Sequence, residues 1–171
     1  MTALEISLLV FFPALMAFAA SSDLLTMTIP NRVSLLLVAG FLGFAGILGL
    51  PWTTIGWHLL AGLLVLACTF GMFAAGWIGG GDAKLAAATA IWCGFGSLLE
   101  YSLVASVLGG LLTLFILHAR THVLPSFAQG WPWLIRLHDS KTGIPYGIAL
   151  AAAGLVVLPH TTIFKAGFGV L

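Results

Sequence analysis

The sequence predicts an all-α, polytopic membrane protein of about six transmembrane helices, on three observations. Hydrophobic residues make up 61% of the 171 positions and charged residues only 6%, with mean hydropathy +1.15. Soluble domains carry about 45–50% apolar and about 25% charged residues, so this chain has too little polar surface to cover a water-soluble globule. It is also too hydrophobic to stay disordered. The aliphatic runs are long and continuous instead of alternating, which excludes an outer-membrane barrel and leaves helices as the spanning element.

A span needs roughly 17–25 residues of low polarity. Such stretches run from about Ile6 to Ser22, Val33 to Leu50, Ile55 to Ile78, Ala83 to Leu99 (Ala-rich and short), Tyr101 to Ala119 and Ile144 to Pro159. The tail TTIFKAGFGVL is expected to lie at the interface or to extend the sixth helix. Glu5 stands where a cleaved leader would carry positive charge, so the first stretch reads as a retained helix. No internal repeat is visible and the spans leave almost no room for a soluble domain, so one domain is expected over residues 1–171.

Charge sets the orientation. Arg32, Lys84, Arg120, Arg136 and Lys141 fall in the turns after spans one, three and five, and only Lys165 falls on the other side. By the positive-inside rule those turns are cytoplasmic and both termini lie outside. The net charge of +1 offers no field for nucleic acid. Cys68 and Cys93 form no CxxC pair and read as buried structural thiols. The segment from about Arg120 to Gly143 mixes Phe127, Trp131, Pro132, Trp133 and Leu134 with charged residues. That mixture suits the headgroup region, as an aromatic belt or a flap over a site.

Of the five carboxylates, Glu5 and Glu100 fall at outer helix ends, and Asp139 falls in the polar loop. Asp23 and Asp82 each lie at a cytoplasmic helix end within apolar sequence. Two spans separate them, and two crossings return the chain to the side it left, so both carboxylates belong at one depth on one face. Asp82 starts a helix, where the dipole favours the ionised form, and Asp23 ends one, where it does not. Two adjacent carboxylates share a proton, with Asp82 expected more often as base and Asp23 as acid. Such a pair suits peptide hydrolysis: one group takes a proton from water while the other protonates or polarises the carbonyl. No metal or cofactor is required, and no Ser/His or Cys/His signature competes.

Gly79, Gly80 and Gly81 precede Asp82, and without Cβ atoms they let a substrate strand approach the carboxylate. Ile29-Pro30-Asn31 and Gly143-Ile144-Pro145-Tyr146-Gly147 open spans two and six at the same face. Pro30 and Pro145 are expected in first helical turns, and Asn31 and Tyr146 are site-shaping or anchoring residues. Lys84 is a candidate for substrate or lipid phosphate. His118 and His122, four apart, lack the further ligands of a metal site and read as interfacial. Gly109-Gly110 favours close helix packing.

Asp23 followed by IPN, the GGGDAKL segment and the KTGIPYG segment together resemble the prepilin peptidases. These are membrane aspartic proteases of the GxGD type, related to archaeal preflagellin peptidases, and the resemblance is to the short form serving Flp/Tad-type pilus systems. It implies that Asp23 and Asp82 are the catalytic pair. The implied substrate is a prepilin, cut between its basic cytoplasmic leader and its hydrophobic helix at the inner membrane in pilus biogenesis. Leu24-Leu25-Thr26-Met27-Thr28 stands where members often carry basic residues. The cysteine-based zinc insertion of bifunctional members is absent, so no methyltransferase activity is expected. The alternatives are a small proton-coupled transporter and a catalytically inactive pilus-assembly factor. Against a transporter stand carboxylates near one surface instead of the midplane, and the lack of repeated halves.

Overall fold

In hydrocarbon every backbone polar group needs a partner within the chain, and the apolar runs meet that demand as helices. The computed structural model describes residues 1–125 and 130–169; Phe127 of the aromatic segment and the last two residues of the tail lie outside them. The helices are α1 (Ala3–Thr26), α2 (Asn31–Ile47), α3 (Trp52–Ala74), α4 (Gly80–Arg120), α5 (Pro132–His138), α6 (Tyr146–Val157), then a 3₁₀ turn (Leu158–His160) and α7 (Thr162–Gly167). Among the described residues there is no strand. α1, α3 and α4 are long and apolar enough to cross a membrane, and α2 and the stretch Tyr146–His160 are shorter apolar helices. The chain is a polytopic helical membrane protein.

Local chemistry explains the boundaries. Thr2 and Glu5 form a reciprocal capping box at the start of α1. α1 ends at Met27 in the left-handed conformation (φ 55°), whose N–H donates to the Asp23 carbonyl. α2 and α3 end in Schellman motifs on Gly49 and Gly76, both at positive φ. Pro30 and Pro145 are the N-cap residues of α2 and α6, one position before the first helical turn in which the sequence suggests them. Thr161 caps α7, so the tail forms its own short helix.

One boundary differs more substantially. The expected break between spans four and five, near Leu99, lies instead at Gly94, where φ 58° and ψ 177° interrupt α4. In a straight helix Asp82 and Gly109 would stand about 40 Å apart, yet both line one cavity, as do Ala86 and Ala105. α4 therefore folds back into limbs 80–93 and 95–120 that run antiparallel. The first limb is only about 20 Å long, short for a bilayer core of about 30 Å. The turn sits at Gly94 because that conformation is essentially glycine-only. The break deprives the Ile91 carbonyl of its helical donor, and buried His58 replaces it, donating from Nδ1 at 2.7 Å. A carbonyl only accepts, so the proton is on Nδ1.

Trp92 organises the core. It is fully buried, donates from Nε1 to the Leu37 carbonyl at 2.9 Å, and lies within 4.9–6.2 Å of the rings of Phe11, Phe12, Phe41 and Phe44. This joins α1, α2 and the first limb of α4. Cys93 is buried, but Cys68 is exposed on α3, which corrects its reading as a core thiol: it lies on an outward face, where a thiol costs little in lipid.

Gly94→Ala should lower the thermal unfolding midpoint in detergent, destabilising by about 3 kcal/mol or more. The added Cβ would lie 2.6 Å from the His58 ring as well as at forbidden φ. Gly96→Ala, which meets nothing within 4 Å, should leave the midpoint nearly unchanged.

Candidate active site

Asp23 lies in the last turn of α1, and Asp82 occupies the third position of α4. Both line one cavity of about 310 Å³, closed by Met27, Thr28, Ile29 and Gly79 to Gly81, and they are close enough to interact electrostatically. The fold thus brings the two carboxylates, two spans apart in the sequence, to one end of the helical bundle. Asp82 also borders a second cavity of about 590 Å³, lined among others by Thr69, Tyr101, Ser102, Ser106 and Tyr146. Oδ1 of Asp82 is buried without a hydrogen-bond partner among the described residues.

Asp23 is only 6% exposed, and its Oδ2 accepts the N–H of Gly147 at 2.7 Å. Gly147 is the second residue of α6, so this N–H is one that a helix start leaves without an internal partner. The N-terminus of α6 thus faces a carboxylate carried by the C-terminal turn of α1. Each aspartate meets a helix N-terminus, Asp82 its own and Asp23 that of α6. The helix-end contrast used to divide acid from base is offset, and the pair is treated as one titrating unit.

Gly147 and Ile29 are site residues that the sequence reading did not single out. A Cβ on Gly147 would lie 2.8 Å from Asp23 Oδ2 and 2.8 Å from Ile29 Cδ1. Ile29 is buried between Gly147 and Gly81, whose own Cβ would lie 3.2 Å from it. Gly79 closes against Asp82 Oδ2 and Gly80 against the Phe73 ring, so all three glycines before Asp82 have packing reasons. The available signal for Gly147 was its place just after an Ile-Pro helix start at the face that holds both aspartates.

Tyr146 borders the larger cavity, packs on Gly109 and hydrogen-bonds Thr113 Oγ1 at 3.0 Å, fastening α6 to the second limb of α4. Pro145 is buried at the α6 cap, and Pro30 opens α2 directly after Ile29. Lys84 and Asn31 come together, Nζ donating to Oδ1 at 2.9 Å, but they line a different groove from the two aspartate cavities.

The connecting segment is tied down at this end. Arg120 donates to the carbonyls of Leu137, Thr142 and Gly143, and Arg136 of α5 donates to the Leu25 carbonyl at 3.0 Å. Trp131 and Trp133 stack with ring centroids 6.0 Å apart, and Asp139 accepts the N–H of Lys141. At the opposite end Glu100 pairs with His160. His118 and His122 face each other with Nε2 atoms 3.3 Å apart; among the described residues no group of three metal-binding side chains forms.

Gly147→Ala should destabilise by about 2 kcal/mol or more, through overpacking and disruption of the Asp23 hydrogen bond. Gly143→Ala, with open space around it, is the neutral comparison, and thermal unfolding of both in one detergent measures the difference.

No curated protein and no solved structure matches the chain. The model of the type IV leader peptidase family matches residues 10–114, a stretch holding Asp23, Ile29-Pro30-Asn31 and the glycines with Asp82. The segment that supplies Gly147 lies beyond the match, and the fold returns it to Asp23. With more than half of its length matched, the chain belongs to the type IV leader peptidase family.

Proposed function

We propose that the chain is an aspartic endopeptidase in which Asp23 and Asp82 together cut the leader from a type IV, Flp-like prepilin at the cytoplasmic surface of the inner membrane. The observation that carries this reading is that two carboxylates from distant helices open onto one small cavity. Family membership makes the chain a peptidase. Arg32, Lys84, Arg120, Arg136 and Lys141 lie in the connections at the aspartate end or in the helix turns beside them, as a cytoplasmic face requires.

The chemistry follows from a pair holding one proton. The ionised carboxylate takes a proton from water as its oxygen attacks the scissile carbonyl carbon, and the protonated partner gives its proton to the carbonyl oxygen. The gem-diol intermediate then collapses: the C–N bond breaks and the amine leaves with a proton from the carboxyl that had accepted one from water. One gem-diol hydroxyl gives its proton back to the other carboxylate, which leaves a carboxylic acid product and the pair again holding one proton. Gly147 holds Asp23 in position, a role in which displacement of about 1 Å costs on the order of a hundredfold in rate.

Asp82 borders both cavities, which gives the substrate a direction. The leader lies in the smaller cavity beside Thr28 and the glycines. The first residues after the cut lie in the larger one, between Thr69, Tyr101 and Ser106, where it opens along the helices.

Cleavage of a co-expressed prepilin, read as intact mass, tests the mechanism. Wild type should remove the leader, and Asp23→Asn and Asp82→Asn should each lose activity by at least about 10³-fold while inserting normally. Persistence of cleavage in either variant would reject the pair. Activity is also expected to survive a chelator, because the pair activates water without a metal.

A further inference from the structure

A groove on the other side of α4 has the build of a lipid site. Its volume is about 520 Å³; Leu35 and Val38 of α2 and Leu59 and Leu63 of α3 form its walls, and Ala87 and Ala88 of α4 its floor. It runs from Lys84 down to Ile91, about 10 Å along the first limb of α4. Leu35 and Leu63 are 68% and 62% exposed, so the groove opens sideways toward lipid. Residues two apart on a helix do not face each other, and Lys84 accordingly points away from the cleft that Asp82 borders.

The polar groups gather at one end of the groove. Lys84 has no carboxylate partner among the described residues and reaches the neutral Asn31. That contact uses the amide oxygen of Asn31 and leaves its NH₂ group able to donate. Asn31 opens α2, whose start has no side-chain cap, so its first N–H groups point to the same place. Ser34 lines the groove with its Oγ buried and without a partner. Ser7, Ser21, Ser102 and Ser106 all return their hydroxyls to the carbonyl four residues back, and Ser34 does not.

We infer that this groove holds one anionic glycerophospholipid, its phosphate at Lys84, Asn31 and the start of α2 and one acyl chain along the α2–α3 walls. Charge complementarity selects the headgroup: a lone ammonium and an amide donor meet at the start of α2, with no acidic group among the groove's residues. The apolar run below that point selects a molecule with a chain over a free phosphate. The site is separate from the aspartate pair and does not depend on the peptidase mechanism.

Native mass spectrometry of the purified protein, offered equal amounts of phosphatidylglycerol and phosphatidylcholine with identical chains, tests it. Wild type should retain one phosphatidylglycerol in preference to phosphatidylcholine, and glycerol phosphate should not displace it. Lys84→Gln should reduce that retention about tenfold, the loss of one charge-assisted contact. Lys84→Arg should restore most of it, and Lys141→Gln, a charge removed elsewhere at the same end, should leave it unchanged. Asn31→Ala carries the same expectation of reduced retention should Lys84→Gln fail to accumulate. The inference is overturned if both lipids are retained equally, if Lys141→Gln weakens retention as much as Lys84→Gln, or if wild type forms a lipid-free dimer that Lys84→Gln dissociates.

Discussion

The hydrogen bond from Gly147 to Asp23 is the constraint around which the aspartate end is built. A buried carboxylate at a helix C-terminus is unfavourable twice over, by desolvation and by the helix dipole. The N-terminus of α6 offsets both, because its second N–H reaches Oδ2 at 2.7 Å. That contact leaves no room for a side chain at position 147 and brings Ile29 against the same glycine. Ile29 in turn packs on Gly81, one residue before Asp82. A single backbone donor thus sets the relative positions of α1, α4 and α6 where the two carboxylates meet.

The reversal at Gly94 makes that arrangement possible at the other end of the molecule. α4 must return to the aspartate end so that its second limb can receive Tyr146 on Gly109 and Thr113 and Arg120 can hold the carbonyls just before α6. A turn inside a membrane protein exposes a carbonyl that water cannot reach. The repair is local: His58 donates to Ile91, and its ring stacks on Phe41 at 5.0 Å. The same side chain occupies the space above Gly94, so the residue that satisfies the turn also requires glycine within it.

The all-helical membrane class, the order of the spans and the pairing of Asp23 with Asp82 were legible in the sequence because they follow from coarse quantities: hydropathy, span parity and the scarcity of carboxylates. The Gly94 turn was not, since in AIWCGFGSLLEY the one charge, Glu100, lies six residues past the turn, no proline marks it, and two residues are glycines. What distinguishes Gly94 from Gly96 is the His58 ring lying above it, a contact thirty-six positions away in the chain. Gly147 was hidden for a similar reason, because its role is set by a carboxylate on another helix. Lys84 and Asp82 are neighbours in sequence, and only the helical turn between them sends one to the groove and the other to the cleft.

Asp82 is the hinge between a polar and an apolar environment. Its side chain borders the small cavity formed by backbone-rich segments and the larger one between helices. A substrate that is hydrophilic before the scissile bond and hydrophobic after it would match that division without any further recognition element. Its apolar half would stay in lipid until a residue or two from the cut, so little hydrocarbon would need to enter water to reach the carboxylates. The glycines at 79 to 81 serve the same end: they bring helix α4 to its start beside the smaller cavity without adding side chains of their own. Under this reading specificity resides in the position of a polarity boundary, and the carboxylate pair stands at that boundary because two helix N-termini, from α4 and α6, converge there.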